Sequence, residues 1–169
     1  NDAFLEEGMI SDAAEYIEVR AEYSEVKFLR RVLFADRTWF VIADEVRGTL
    51  PHNYEWRLHG HGGGTSSGSY TRDGSLARWQ QGGAELLAYL PEQEGRTFAE
   101  ADTIHSFDYL EEPTHTFLQV RDFGATTEYI AALFPRSTNG EEPKMSAAAI
   151  TGGQGVRLDR DDGSVEISW

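Results

Sequence analysis

The stretch Lys27-Phe-Leu-Arg-Arg-Val-Leu-Phe-Ala-Asp-Arg-Thr-Trp-Phe-Val-Ile-Ala-Asp-Glu-Val46 reads as two strands folded about a tight turn. Asp36-Arg37 interrupts two β-branched and aromatic runs, so residues 27–35 and 38–46 form a hairpin. Trp39-Phe-Val-Ile-Ala43 is apolar at every position, which suits a central strand covered on both faces. Asn53–His59 alternates instead. Tyr54, Trp56 and Leu58 point one way, and Glu55, Arg57 and His59 the other.

The same period of two continues outward in both directions. Further strands are expected at 16–23, 75–80, 84–90, 97–101, 106–110, 116–121, 128–134, 146–150, 155–159 and 164–168, with turn residues between them. Asp161-Asp-Gly163 closes the last hairpin. Only the start departs from this. Asp2 caps a predicted helix over Ala3-Phe-Leu-Glu-Glu7 that Gly8 stops, and Ser11 caps one more turn to Glu15. The fold class is therefore all-β, an antiparallel β-sandwich of about a dozen short strands with a short N-terminal helical segment. Residues 1–15 are the helical lead-in and 16–169 a single sandwich domain. An unbroken strand pattern running to Trp169 predicts a piece of a longer protein.

Composition narrows the function classes. Across 169 residues there are 15 basic and 29 acidic side chains, a net charge of -14, which disfavours nucleic acid or an anionic membrane as a partner. Half of that excess lies in residues 1–25, with eight acids against Arg20. Residues 26–47 reverse the sign through Lys27, Arg30, Arg31, Arg37 and Arg47. No apolar run approaches the ~20 residues that span a bilayer. The absence of cysteine removes disulfides, thiol catalysis and thiolate metal sites.

Residues 58–70 contain several motif look-alikes. Gly64-Thr-Ser-Ser-Gly68 has the form of a nucleophile elbow and His61-Gly-Gly-Gly64 that of an oxyanion motif, yet they share Gly64 and no helix follows. No Gly-Lys-Ser/Thr follows either, so a phosphate loop fails. His59 and His61 share a strand face and could chelate one metal, but a site needs a third ligand and no spacing singles out His52, His105 or His115. Asp159-Arg-Asp-Asp-Gly163 lacks the later acidic ligand of a calcium loop. Trp79, Tyr70 and Tyr89 lie near glycines or polar residues, where flat rings would suit the C–H faces of a sugar.

Two stretches taken together, Arg31–Val46 and His52-Asn-Tyr-Glu-Trp-Arg-Leu-His-Gly-His-Gly-Gly-Gly64, resemble the C-terminal β-sheet region of heparinase II/III-like polysaccharide lyases. The shared features are an Arg-led strand, a hairpin ending in Asp and a Tyr-x-Trp-x-Leu-His strand. Glu128-Tyr-Ile-Ala-Ala-Leu-Phe-Pro135 is similar to a later apolar strand closed by proline. The resemblance implies a parent with an α/α-toroid ahead of the sheet domain, cleaving uronic-acid polysaccharides such as glycosaminoglycans or alginate by β-elimination. It also implies secretion or a periplasmic location. In such enzymes a tyrosine of the helical domain serves as acid and base, and a His-x-His-x-Asp stretch supplies a catalytic histidine and a zinc or calcium site.

This chain departs from that pattern. It has no toroid sequence, Gly63 stands where the Asp would be, and His59-Gly-His61 follows the Arg-led hairpin rather than preceding it. No catalytic residue, metal ligand or cofactor is carried over. The expected substrate contacts are Arg57, His59 and Trp79. The leading reading is a structural or substrate-positioning sandwich domain, inactive alone, that meets an acidic polysaccharide within its parent. A stand-alone carbohydrate-binding module with Trp79, Tyr70 and Tyr89 as platforms is the alternative, and a metal-assisted enzyme using His59 and His61 is the third.

Overall fold

The computed structural model describes residues 3–104, 113–150 and 153–169. Their twelve strands are β1 (Ala3–Ile10), β2 (Ala14–Tyr23), β3 (Val26–Ala35), β4 (Trp39–His59), β5 (Ser69–Asp73), β6 (Leu76–Gln81), β7 (Ala84–Tyr89), β8 (Thr97–Ile104), β9 (Thr114–Ser137), β10 (Lys144–Ala147), β11 (Gly155–Arg160) and β12 (Gly163–Ser168). All pair antiparallel. The large sheet runs β1-β2-β3-β4-β9-β7-β6-β5, with β8 added to the other half of β9, and β10-β11-β12 form a small sheet. The expected strand at 106–110 and His105 lie outside the described residues.

The all-β expectation holds, with one correction. The predicted N-terminal helix is absent: residues 3–10 pair with β2 from Ala3↔Ala21 to Ile10↔Glu15. Ser11 does not cap a helix. Its hydroxyl bonds both the carbonyl and the amide of Ala14 and so closes the β1–β2 turn. The strand won because β2 offers an open edge of N–H and C=O groups, whereas an isolated eight-residue helix is marginal in water.

Two strands expected on each side of a break are single long strands. β4 joins 38–46 to 53–59 through a bulge between Arg47 and His52, and β9 runs beside it from Phe117 opposite His59 to Leu133 opposite Phe40. Both bend, so the arm made of β8 and the halves of β4 and β9 beside it folds back over the rest of the sheet. Trp56 on the arm donates its Nε1–H to Asp44, earlier in the same strand, at 2.8 Å. One core lies inside this fold, with Val46, Tyr54, Trp56, Trp79, Leu118, Val120 and Tyr129. A second lies between the opposite face and the small sheet, where Trp39, Val41, Leu87 and Ile130 meet Val156 and Leu158. The continuous apolar run at 39–43 is thus explained, since alternate residues serve different cores.

Candidate functional site

Alternation along β4 places Glu55, Arg57 and His59 on the outer face of the arm, as the sequence pattern requires. Register sets Arg121, Gln119 and Phe117 of β9 directly beside them. Neighbours across an antiparallel pair share a face, so six side chains form one strip. Arg121 Nε donates to Glu55 at 2.9 Å, and Arg57 also donates to Glu55. The Arg57 guanidinium lies over the Phe117 ring at 5.4 Å. His59 stacks on the same ring, with centroids 4.8 Å apart and planes 15° from parallel. Burial raises the Glu55 carboxyl, but hydrogen bonds from Gln119, Arg121 and Arg57 outweigh it and hold the group below its ordinary value. The strip therefore carries two guanidinium groups against one carboxylate, on a chain of net charge -14.

Beyond His59 the Gly-rich segment turns back toward β9. Gly63 and Gly64 have φ of +75° and +59°, and a Cβ at either would fall 2.1 Å from Thr116 Oγ1 or 2.4 Å from Thr114 Oγ1. Thr116 N donates to Gly62 O, and Ser66 N to Thr114 O. The Ser66 hydroxyl, central in the elbow-like sequence, donates to Gly63 O at 2.7 Å and accepts from Gly68 N. These glycines let a loop lie flat on β9. The packing brings His61 to His115, rings edge to face at 5.2 Å, a pairing no spacing could have revealed.

Among the described residues the histidines do not build a metal site. His59 lies against Phe117, His61 meets His115, and among the described residues no group of three or more His, Asp or Glu side chains could hold an ion. The described donor set does not fit the zinc or calcium implied by the resemblance.

Trp79 lies elsewhere. It is 2% exposed inside the folded sheet, donates its Nε1–H to Thr116 O at 2.7 Å and packs against Tyr70 at 4.9 Å. Its ring offers no free face to a sugar. Burial pushes the Tyr70 hydroxyl up to about 12. Arg57 and His59 thus come together and Trp79 stays apart. Phe117, Gln119 and Arg121 were missed, although 116–121 was read as a strand, because only the register shows which residues face β4.

The described chain is an antiparallel sandwich with a basic, aromatic strip along its folded-back arm. No family model and no curated protein matches it. Solved structures do. A heparinase III, the BT4657 gene product, aligns at a TM-score of 0.78 with 14% identity, over 99% of this chain and 27% of that one. The heparan sulfate lyase HepC from Pedobacter heparinus aligns at 0.75 with 14% identity, over 99% and 28%. A further heparinase III gives 0.75 and 13%, over 99% and 27%. The resemblance read at residues 31–64 and 128–135 holds at the level of the fold. The chain spans little more than a quarter of the length of the lyases it matches.

Proposed function

We propose that the chain is a substrate-positioning β-sandwich domain of a heparinase II/III-like polysaccharide lyase, secreted or periplasmic, and inactive alone. The observation that carries this reading is the strip on the arm. Arg57 and Arg121 provide charge for a carboxylate or sulfate, and His59 on Phe117 provides a flat surface beside it. β-Elimination needs an acid and base at the sugar C5 and a group that neutralises the uronate. The strip can supply the second role, and the first belongs to the parent's helical domain.

The test is incubation of the purified chain with heparan sulfate, chondroitin, hyaluronan and alginate, following the ultraviolet absorbance of unsaturated uronate. No product is expected. Binding of acidic oligosaccharides should weaken at least tenfold in the Arg57→Ala/His59→Ala double variant with folding retained. Product formation by the chain alone would overturn the reading, as would binding indifferent to both substitutions.

A further inference from the structure

The first three strands carry an apolar face that nothing among the described residues covers. Register sets Leu5 beside Val19, and Ile17 beside Val32. Ile10 stands opposite Glu15, which in turn stands opposite Phe34. Neighbours across antiparallel pairs share a face, so these side chains form one surface three strands wide. Leu5, Ile10 and Ile17 are 69%, 83% and 45% exposed, and Val19, Val32 and Phe34 are half-buried. The charges on it are few: Glu15 at one end, and Arg30, which is already paired with Asp44.

This surface continues a core. Phe34 stacks on Phe40 with ring centroids 4.4 Å apart, and Val32 lies opposite Ile42. Phe40 and Ile42 pack against the cluster enclosed by the folded-back arm. The arm supplies a second layer there and leaves β1–β3 without one. The opposite face of the same strands is ion-paired, with Arg31 donating to Glu18 at 2.8 Å and Arg20 bound to Glu6 at 3.0 Å. A sheet with one charged and one apolar face buries the apolar one against another layer. Exposed apolar surface of this extent marks an interaction site.

Two observations choose the occupant. A second copy would bring residues 1–25, eight acids against Arg20, onto their own like, so charge opposes self-association. The solved lyases extend well beyond the region aligned with this chain, which spans 27% and 28% of their length. We propose that this face is a docking surface for a second apolar layer, basic along its rim, supplied by the part of the parent polypeptide outside this chain. The proposal rests on the reading of the chain as one domain of a longer lyase.

Hydroxyl-radical footprinting of the isolated chain and of the full-length gene product tests this. Leu5, Ile17 and Phe34 should be oxidised roughly fivefold more slowly in the full-length protein, since a docked layer excludes water from the centre of its interface. Met9, on the opposite face of β1, should react equally in both. Leu5→Lys/Ile17→Lys changes two exposed positions, so the isolated chain should keep its circular dichroism and melting temperature. The same pair should lower the melting temperature of the full-length protein and restore oxidation at Phe34. Equal oxidation of Leu5 and Ile17 in the two proteins would overturn the proposal, as would equal protection of Met9. A dimer of the isolated chain abolished by the lysine pair, with no protection in the full-length protein, would assign the face to a second copy instead. Lyase product from the isolated chain would overturn the functional reading without altering protection at Leu5 and Ile17, and missing protection in an active full-length lyase would overturn this proposal alone.

Discussion

Asp44 shows how one buried carboxylate ties the folded sheet together. It is reached by Arg30 from β3 and by Trp56 from the arm. Asp44→Ala leaves the Trp56 N–H unpaired inside the core and should destabilise the chain by about 2–4 kcal/mol, as measured by urea unfolding. The loss stays at the lower end of buried-pair values because the Arg30 side chain is 53% exposed. The tyrosines give a second, independent signature. Burial, the largest cause for both, pushes Tyr70 and Tyr129 up to about 12 from an ordinary value of 10.0. Between those values the unfolded chain has released protons that the folded chain retains, so stability present below pH 10 is lost as pH rises toward 12. Tyrosinate absorbance should accordingly show Tyr70 and Tyr129 ionising last of the seven tyrosines, after Tyr16 and Tyr89, whose values burial raises less, and together with alkaline unfolding. Tyr54 and Trp56 were legible as core from their alternation. Trp79 was not, because its place depends on the carbonyl of Thr116, 37 residues further along.

The turn between β3 and β4 was readable at Asp36-Arg37, and its backbone explains a cost that side-chain types conceal. Both residues take positive φ, 50° and 51°, with Thr38 N donating to Ala35 O at 3.0 Å. That is the conformation two-residue hairpins favour and glycine adopts without strain. Arg37 is exposed. Arg37→Gly should therefore stabilise the chain by about 0.5–1 kcal/mol in thermal unfolding, the αL penalty exceeding the added chain entropy. β1 taught the opposite lesson. Ala3-Phe-Leu-Glu-Glu-Gly-Met-Ile10 is exposed throughout, including Ile10 at 83%, so no buried face imposes a period on it. Helix and strand were equally compatible with such a pattern, and the paired edge of β2 decided between them. The bend in β4 escaped notice for a related reason. Pro51 and the polar residues around it look like a loop, and the cross-strand bonds to β9 that restart at His52 are not local.

Glu85 links three adjacent strands of the large sheet, β6, β7 and β9. Buried on β7, it accepts from Arg78 at 2.7 Å and from Arg136 of β9 at 2.5 Å, while Glu142 in the loop after β9 binds both arginines. The loop 138–143 is thereby clamped to β6 and β9. Glu85→Gln removes the buried charge that two arginines share, and a loss of about 3–5 kcal/mol is expected in denaturant unfolding. The hydrogen bond from Arg78, ahead of a smaller opposing effect of burial, holds the Glu142 carboxyl below its ordinary 4.5. Its unfolded form takes up a proton first as pH falls. The stability it contributes is therefore present above about pH 4.5 and lost below, as pH falls through the depressed value. In Glu142→Gln, thermal unfolding should show a shallower decline across that acid range than in the parent chain.

Period-two patterning and turn chemistry, both encoded within a few neighbouring residues, were enough to specify an all-β chain, most of its strands and the face shared by Arg57 and His59. The Arg-led hairpin and the Tyr-x-Trp-x-Leu-His strand carried the resemblance that the solved lyases bear out at the level of fold. Tertiary structure decided what depends on distant partners: that β4 folds back on itself, that Phe117 and Arg121 stand beside Arg57, that His61 meets His115, and that Trp79 is buried. Side-chain alternation fixes which way a residue points from its own strand. It carries no information about which strand lies opposite, because register is settled by bulges and by burial summed over the whole sheet.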